Sequence, residues 1–98
     1  MKIESGEIVV LTMHSPREKI WGIVQEIGLS GIFIRGVDLN AFNEFVRQAQ
    51  NGEHLYGFTT SFFPMWRVER LSRDENDGDI PSLLQQFESR TGLRIEEI

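Results

Sequence analysis

A chain of 98 residues with a formal net charge of −5 and no cysteine has room for one domain, residues 1–98, because a chain this short buries only about 60–65% of its unfolded surface on folding. The missing cysteine excludes disulfides, thiolate nucleophiles and cysteine-ligated zinc, and fits a reducing compartment, so a cytoplasmic location is expected. The acidic balance repels polyanions at long range, so nucleic acid binding needs a local basic patch.

Residues 1–8 carry Lys2, Glu4 and Glu7 around one glycine, and no stretch of signal-peptide or membrane-spanning length is expected anywhere. Residues 8–13 are β-branched at their start and too short for a stable helix, which predicts a first strand. His14, Ser15 and Pro16 end it in a turn, since proline presets φ and cannot continue a ladder. Residues 20–27 form a second strand with Trp21, Ile23 and Ile27 on one face and Ile20, Val24 and Glu26 on the other. Gly22 suits a sharp bend or bulge there. Gly28 and Gly31 supply a tight reversal into a third strand over residues 32–38.

Both alternating faces of this meander are largely apolar, so both need cover. Barrel closure supplies one cover and packed helices the other. A helix over residues 39–50, capped by Asp38 or Asn40, aligns Leu39, Phe42, Val46 and Ala49 with Phe45 beside them, and Asn51 and Gly52 end it. Residues 58–63 alternate as a fourth strand, Pro64 makes a corner, and residues 66–71 resume in extended form. A last helix over residues 80–91 carries Pro81 in its first turn and a stripe of Ile80, Leu83, Leu84 and Phe87, before Gly92 stops it.

Catalytic and metal signatures are sparse. Residues 74–79 cluster acidic groups around Gly78, but the glycine stands fifth and Gln85 occupies the twelfth position, which is wrong for a calcium loop; a solvated connection is expected. His14 and His54 have no histidine partner at helical spacing, and His14 beside Ser15 on a turn is not expected to form a nucleophile and base pair. No catalytic residue, metal or cofactor is expected. Arg67 and Arg70 lie near Trp66, and Arg35 is flanked by Phe33 and Val37. These three arginines are the candidate nucleic-acid contacts, with salt-bridged surface as the alternative. Trp21, Tyr56, Phe62, Phe63 and Trp66 bring more aromatic area than a small core needs; core packing explains most of it, and Trp21, Tyr56, Phe63 and Trp66 are the candidate subunit interface.

The meander with a glycine in its second strand, followed by two strands joined through a short corner, resembles the small Sm-like and SH3-like barrels. Val9, Val10 and Leu11 leading into the run from Ile20 to Val24 are similar to the first motif of bacterial and archaeal Sm-like proteins, and Ile34-Arg35-Gly36 is similar to that family's Arg-Gly signature. The family carries that pair near the end of its fourth strand, whereas here it closes the third. Its base-binding aspartate and asparagine have no counterpart in the turn from Gly28 to Gly31.

The resemblance implies a five-stranded, strongly bent antiparallel Sm-like or SH3-like barrel, to which the apolar spacing adds a helical insertion (39–51) and a C-terminal helix (80–91), giving an α+β, mainly β fold. It also implies a non-enzymatic binding or assembly module that forms a homo-oligomer, with RNA as a candidate ligand. The alternatives are an adaptor that docks a protein partner through its amphipathic helices and a small ligand-binding enzyme.

Overall fold

The computed structural model describes residues 2–98. Strands β1 (Ile8–Met13), β2 (Glu18–Ile27) and β3 (Gly31–Asp38) form the antiparallel meander that the turn chemistry predicts, and β4 (Thr59–Pro64) and β5 (Val68–Arg73) extend it. All five strands join one antiparallel sheet in the order β4-β3-β2-β1-β5. A 3-10 turn, Met65–Arg67, links its two outermost strands. The fold is therefore α+β and mainly β, while no ladder joins β4 to β5.

Gly22 and Gly36 sit directly opposite one another on β2 and β3. A Cβ on Gly22 would lie 2.5 Å from the Gly36 Cα and 2.9 Å from the Arg35 carbonyl carbon, so only glycine lets the two backbones approach this closely. The register shift in this pair falls elsewhere, between Val24 and Glu26. The extra residue, Gln25, corrects the expected facing: beyond it Ile27 joins the face of Val24 opposite Ile32, and Glu26 turns to the face of Phe33.

The two faces of the sheet bury separate cores. One gathers Val9, Leu11, Met13, Val24, Ile32 and Ile34, with Phe63, Val68 and Leu71 packed against them, so every strand contributes and no helix does. The other centres on Trp21, which meets Phe42 edge-on at 5.3 Å, Phe45 at 6.0 Å and Phe87 at 6.3 Å. The two helices supply those phenylalanines.

Helix α1 (Phe42–Gln50) follows a 3-10 turn, Leu39–Ala41, in which the Asp38 carboxylate accepts the Asn40 N–H at 2.8 Å. Helix α2 (Leu83–Thr91) starts later than its apolar stripe predicts, because Ser82 is the cap and its hydroxyl accepts the Gln85 N–H at 3.0 Å. Ile80 is consequently outside the helix and 64% exposed, and its main chain bridges to Asp77. Gly92 ends α2 in the left-handed conformation at φ +74°, as expected. Among the described residues, no helix is long and apolar enough to cross a membrane.

The Gly22–Gly36 contact yields a paired test. Gly22→Ala forces a methyl into the opposite main chain and is expected to cost about 3 kcal/mol. Gly28→Ala meets nothing within 4 Å and is expected to stay within about 0.5 kcal/mol of the parent. Urea unfolding of the two variants checks both.

Candidate functional site

The three candidate arginines do not converge. The Arg35 guanidinium donates to the main-chain oxygen of Ile98 at 3.0 Å and lies 4.6 Å over the Phe58 ring. Arg67 donates to the Glu18 carboxylate at 2.8 Å and to the carbonyls of Pro16 at 2.9 Å and His14 at 3.3 Å, so it clamps the β1–β2 turn. The Arg70 side chain is exposed and forms no hydrogen bond or ion pair among the described residues. It lies on β5, three strand steps from Arg35 on β3, a separation of about 14 Å along the sheet.

The aromatic candidates divide as well. Trp21 is fully buried, which removes it from any interface because it is the centre of the helix-covered core. Phe63 packs on the strand-lined core. Tyr56 and Trp66 are 71% and 67% exposed, and they meet His54 at 4.5 Å and His14 at 6.5 Å, both edge-on. His14 and Ser15 do point together, with Nδ1 and Oγ 3.1 Å apart. Both are exposed on the turn, and no carboxylate hydrogen-bonds that ring among the described residues. Likewise, no cluster of three or more metal-ligating groups occurs among the described residues.

The acidic segment differs from the solvated connection expected of it. Asp74 accepts the N–H groups of Leu83 and Leu84, each at 2.8 Å, and the Trp21 indole N–H at 3.0 Å. A carboxylate there satisfies two of the orphan donors at the start of α2 and complements the helix dipole. Asn76 accepts the Ser82 N–H at 2.8 Å and fixes the approach. Only long-range geometry reveals this, since Asp74 and Trp21 are 53 positions apart.

The surface feature that sequence reasoning missed is on β3 and β4. Phe33 and Phe62 face each other across the two strands, ring centres 4.9 Å apart, and are 40% and 43% exposed. Leu29, at the tip of the β2–β3 hairpin, is fully exposed. Beside this patch runs the outer edge of β4, where residues 59–63 make no main-chain bond other than those to β3. No charged residue occurs from Leu55 to Trp66, and that gap was the available signal. The opposite edge, β5, exposes Glu69 and Arg70, with Arg17 3.7 Å from Glu69.

A shallow groove of about 440 Å³ lies between the β1–β2 turn and the 3-10 turn before α1, lined by Arg17, Glu18, Lys19, Leu39 and Asn40. Its basic and acidic groups offset one another. Comparison with models of protein families, with curated proteins and with solved structures finds no match to this chain.

Two tests follow from the polar contacts. Asp74→Ala leaves the indole and two helix N–H groups without their acceptor and is expected to cost about 2–4 kcal/mol, whereas Asp74→Asn keeps part of the cap; urea unfolding measures both. Glu7 is held below the ordinary carboxylate range, first by the Arg73 side chain, which donates at 2.6 Å, and then by a main-chain bond from Glu4. Its contribution is complete above the unfolded value of about 4.3 and disappears as pH falls through the lower folded value. Glu7→Gln is therefore expected to narrow its stability deficit against the parent as pH drops from 7 to 3, read from unfolding midpoints.

Proposed function

We propose that this protein is a non-catalytic binding and assembly module of the small-barrel type, which associates with itself through the β4 edge. The observation that carries this reading is the contrast between the two sheet edges: β5 bears charges, and β4 bears none beside an exposed aromatic pair. Unpaired main-chain donors and acceptors on an uncharged edge are a template for another strand, and charged residues are a common device that blocks such pairing.

The barrel reading draws support from the strand-lined core. Val9, Leu11, Val24 and Ile34 are fully buried without a helix over them, so the sheet is read as curling over its own face. The three-residue turn between β4 and β5 brings the two edges together at one end. The glycine contact in β2 and this corner are the features that the Sm-like resemblance uses.

RNA is the weaker ligand. Arg35 and Arg67 are committed to internal partners, and the chain is acidic overall, so Arg70 alone remains of the three candidates. Docking through the helices is weaker too, because Phe42, Phe45, Val46 and Phe87 are spent on the Trp21 core.

Light scattering over a concentration series tests the proposal. A mass above the 11.3 kDa protomer is expected, and Thr59→Lys, which charges an exposed edge position opposite Gly36, is expected to return the chain to a monomer without changing its circular dichroism. A parent that stays monomeric at every concentration overturns the reading. Short RNA is expected to show no salt-sensitive binding even at low salt.

A further inference from the structure

The geometry points to a specific mode for that association: a second copy of the chain pairs its β4 with this one antiparallel, about a two-fold axis through Ser61. This rests on the β4 edge being an assembly surface and adds the occupant, the symmetry and the register.

The pairing follows from the strand's own sequence, Thr59-Thr60-Ser61-Phe62-Phe63. A two-fold axis perpendicular to the sheet keeps each face continuous only if residues of the same facing lie opposite one another, because successive side chains alternate. The axis must therefore pass through a residue. Pro64 ends β4, and proline has no N–H to give the ladder. An axis at Thr60 or Phe62 carries part of the pairing beyond residues 59–63, whereas an axis at Ser61 keeps all five residues paired.

In that register Thr60 meets Phe62 of the other copy and Thr59 meets Phe63, so every phenylalanine faces a β-branched residue and no charge is buried. Aromatic and β-branched cross-strand pairs are among the stabilising ones. Thr60 and Phe62 lie on the face of Arg35 and Phe33, their register partners on β3. The two copies of Phe62 become diagonal neighbours at about 7–8 Å, within reach of aromatic rings. The exposed Phe33–Phe62 pairs thereby join into one aromatic stripe across the axis. A head-to-tail alternative, β4 on β5, sets these residues beside Glu69 and Arg70.

The cysteine-free chain makes the test direct. Opposed residues in an antiparallel pair have Cα atoms about 4.5–5.5 Å apart, inside the range of about 4.4–6.8 Å that a disulfide spans. Ser61→Cys is expected to oxidise to a covalent dimer at least tenfold faster than Thr60→Cys alone, at a concentration where the parent has twice the 11.3 kDa mass. A mixture of Thr60→Cys and Phe62→Cys is expected to link to each other in preference to themselves. If Thr60→Cys links instead to Arg70→Cys, the two-fold mode is overturned while assembly through β4 stands. An assembly that links at neither pair of positions overturns the register and the symmetry. A parent that is monomeric throughout, with Ser61→Cys unlinked, overturns both this mode and the assembly reading.

Discussion

The helix-covered face of the sheet is closed by one carboxylate. Asp74 lies one residue past β5 and accepts from Leu83, Leu84 and the Trp21 indole. It ties the first turn of α2 to the middle of the sheet. Trp21 is the only fully buried tryptophan, and a buried indole N–H without an acceptor costs about 1–3 kcal/mol. The same contact therefore satisfies the largest core side chain and fixes the helix that covers it. With α2 fixed, Phe87 stacks on Phe45 at 5.3 Å, and α1 is held from its far side. The Arg90 guanidinium donating to Asn43 at 3.1 Å and the Gln50 amide donating to the Arg90 carbonyl at 3.0 Å link the helices at their rim.

A second constraint acts on the other face. The glycine pair on β2 and β3 removes two side chains where the paired strands approach most closely, and the vacated space is taken by main chain rather than by a cavity. The strand-lined core then forms from residues two apart on β1, Val9, Leu11 and Met13. The residues between them face the helices, so a six-residue strand serves two cores at once. This is why β1 reads as a near-continuous apolar run, the pattern of a strand covered on both sides.

Local chemistry made much of this legible. Proline and glycine turns delimited the meander, apolar spacing located both helices, and the two-faced strands announced that each side of the sheet needed cover. Where the reading failed, a longer-range contact had prevailed. Ile80 fits the α2 stripe by spacing, but Ser82 and Asp74 supply a better helix start, and periodicity contains no information about a cap drawn from 9 residues away. Simple alternation places Ile27 beside Trp21, and one unpaired residue, Gln25, reverses its facing. Arg35 and Arg67 looked available because their partners, Ile98 and Glu18, are 63 and 49 positions distant.

The candidate surface was less legible for a different reason. A search for function among charged and titratable groups passes over β4, whose distinguishing property is that it has none. Phe62 and Phe63 read as surplus aromatic area shared between core and interface, and the structure divides them: Phe63, the interface candidate, turns to the strand-lined core, while Phe62 stays with Phe33 on a stretch of sheet that neither helix covers. The helices cannot extend over it, because α1 is nine residues long and ends at Gln50, a span of about 14 Å. The composition of each edge then matters more than its area. Glu69 and Arg70 beside Arg17 are the kind of charges that guard an edge, whereas the Thr, Ser and Phe of β4 carry none, and the proposed pairing draws on that contrast. On the proposed self-association, this asymmetry leaves one strand-accepting side and one guarded side, which is the condition for association that stops at two copies instead of propagating along the sheet.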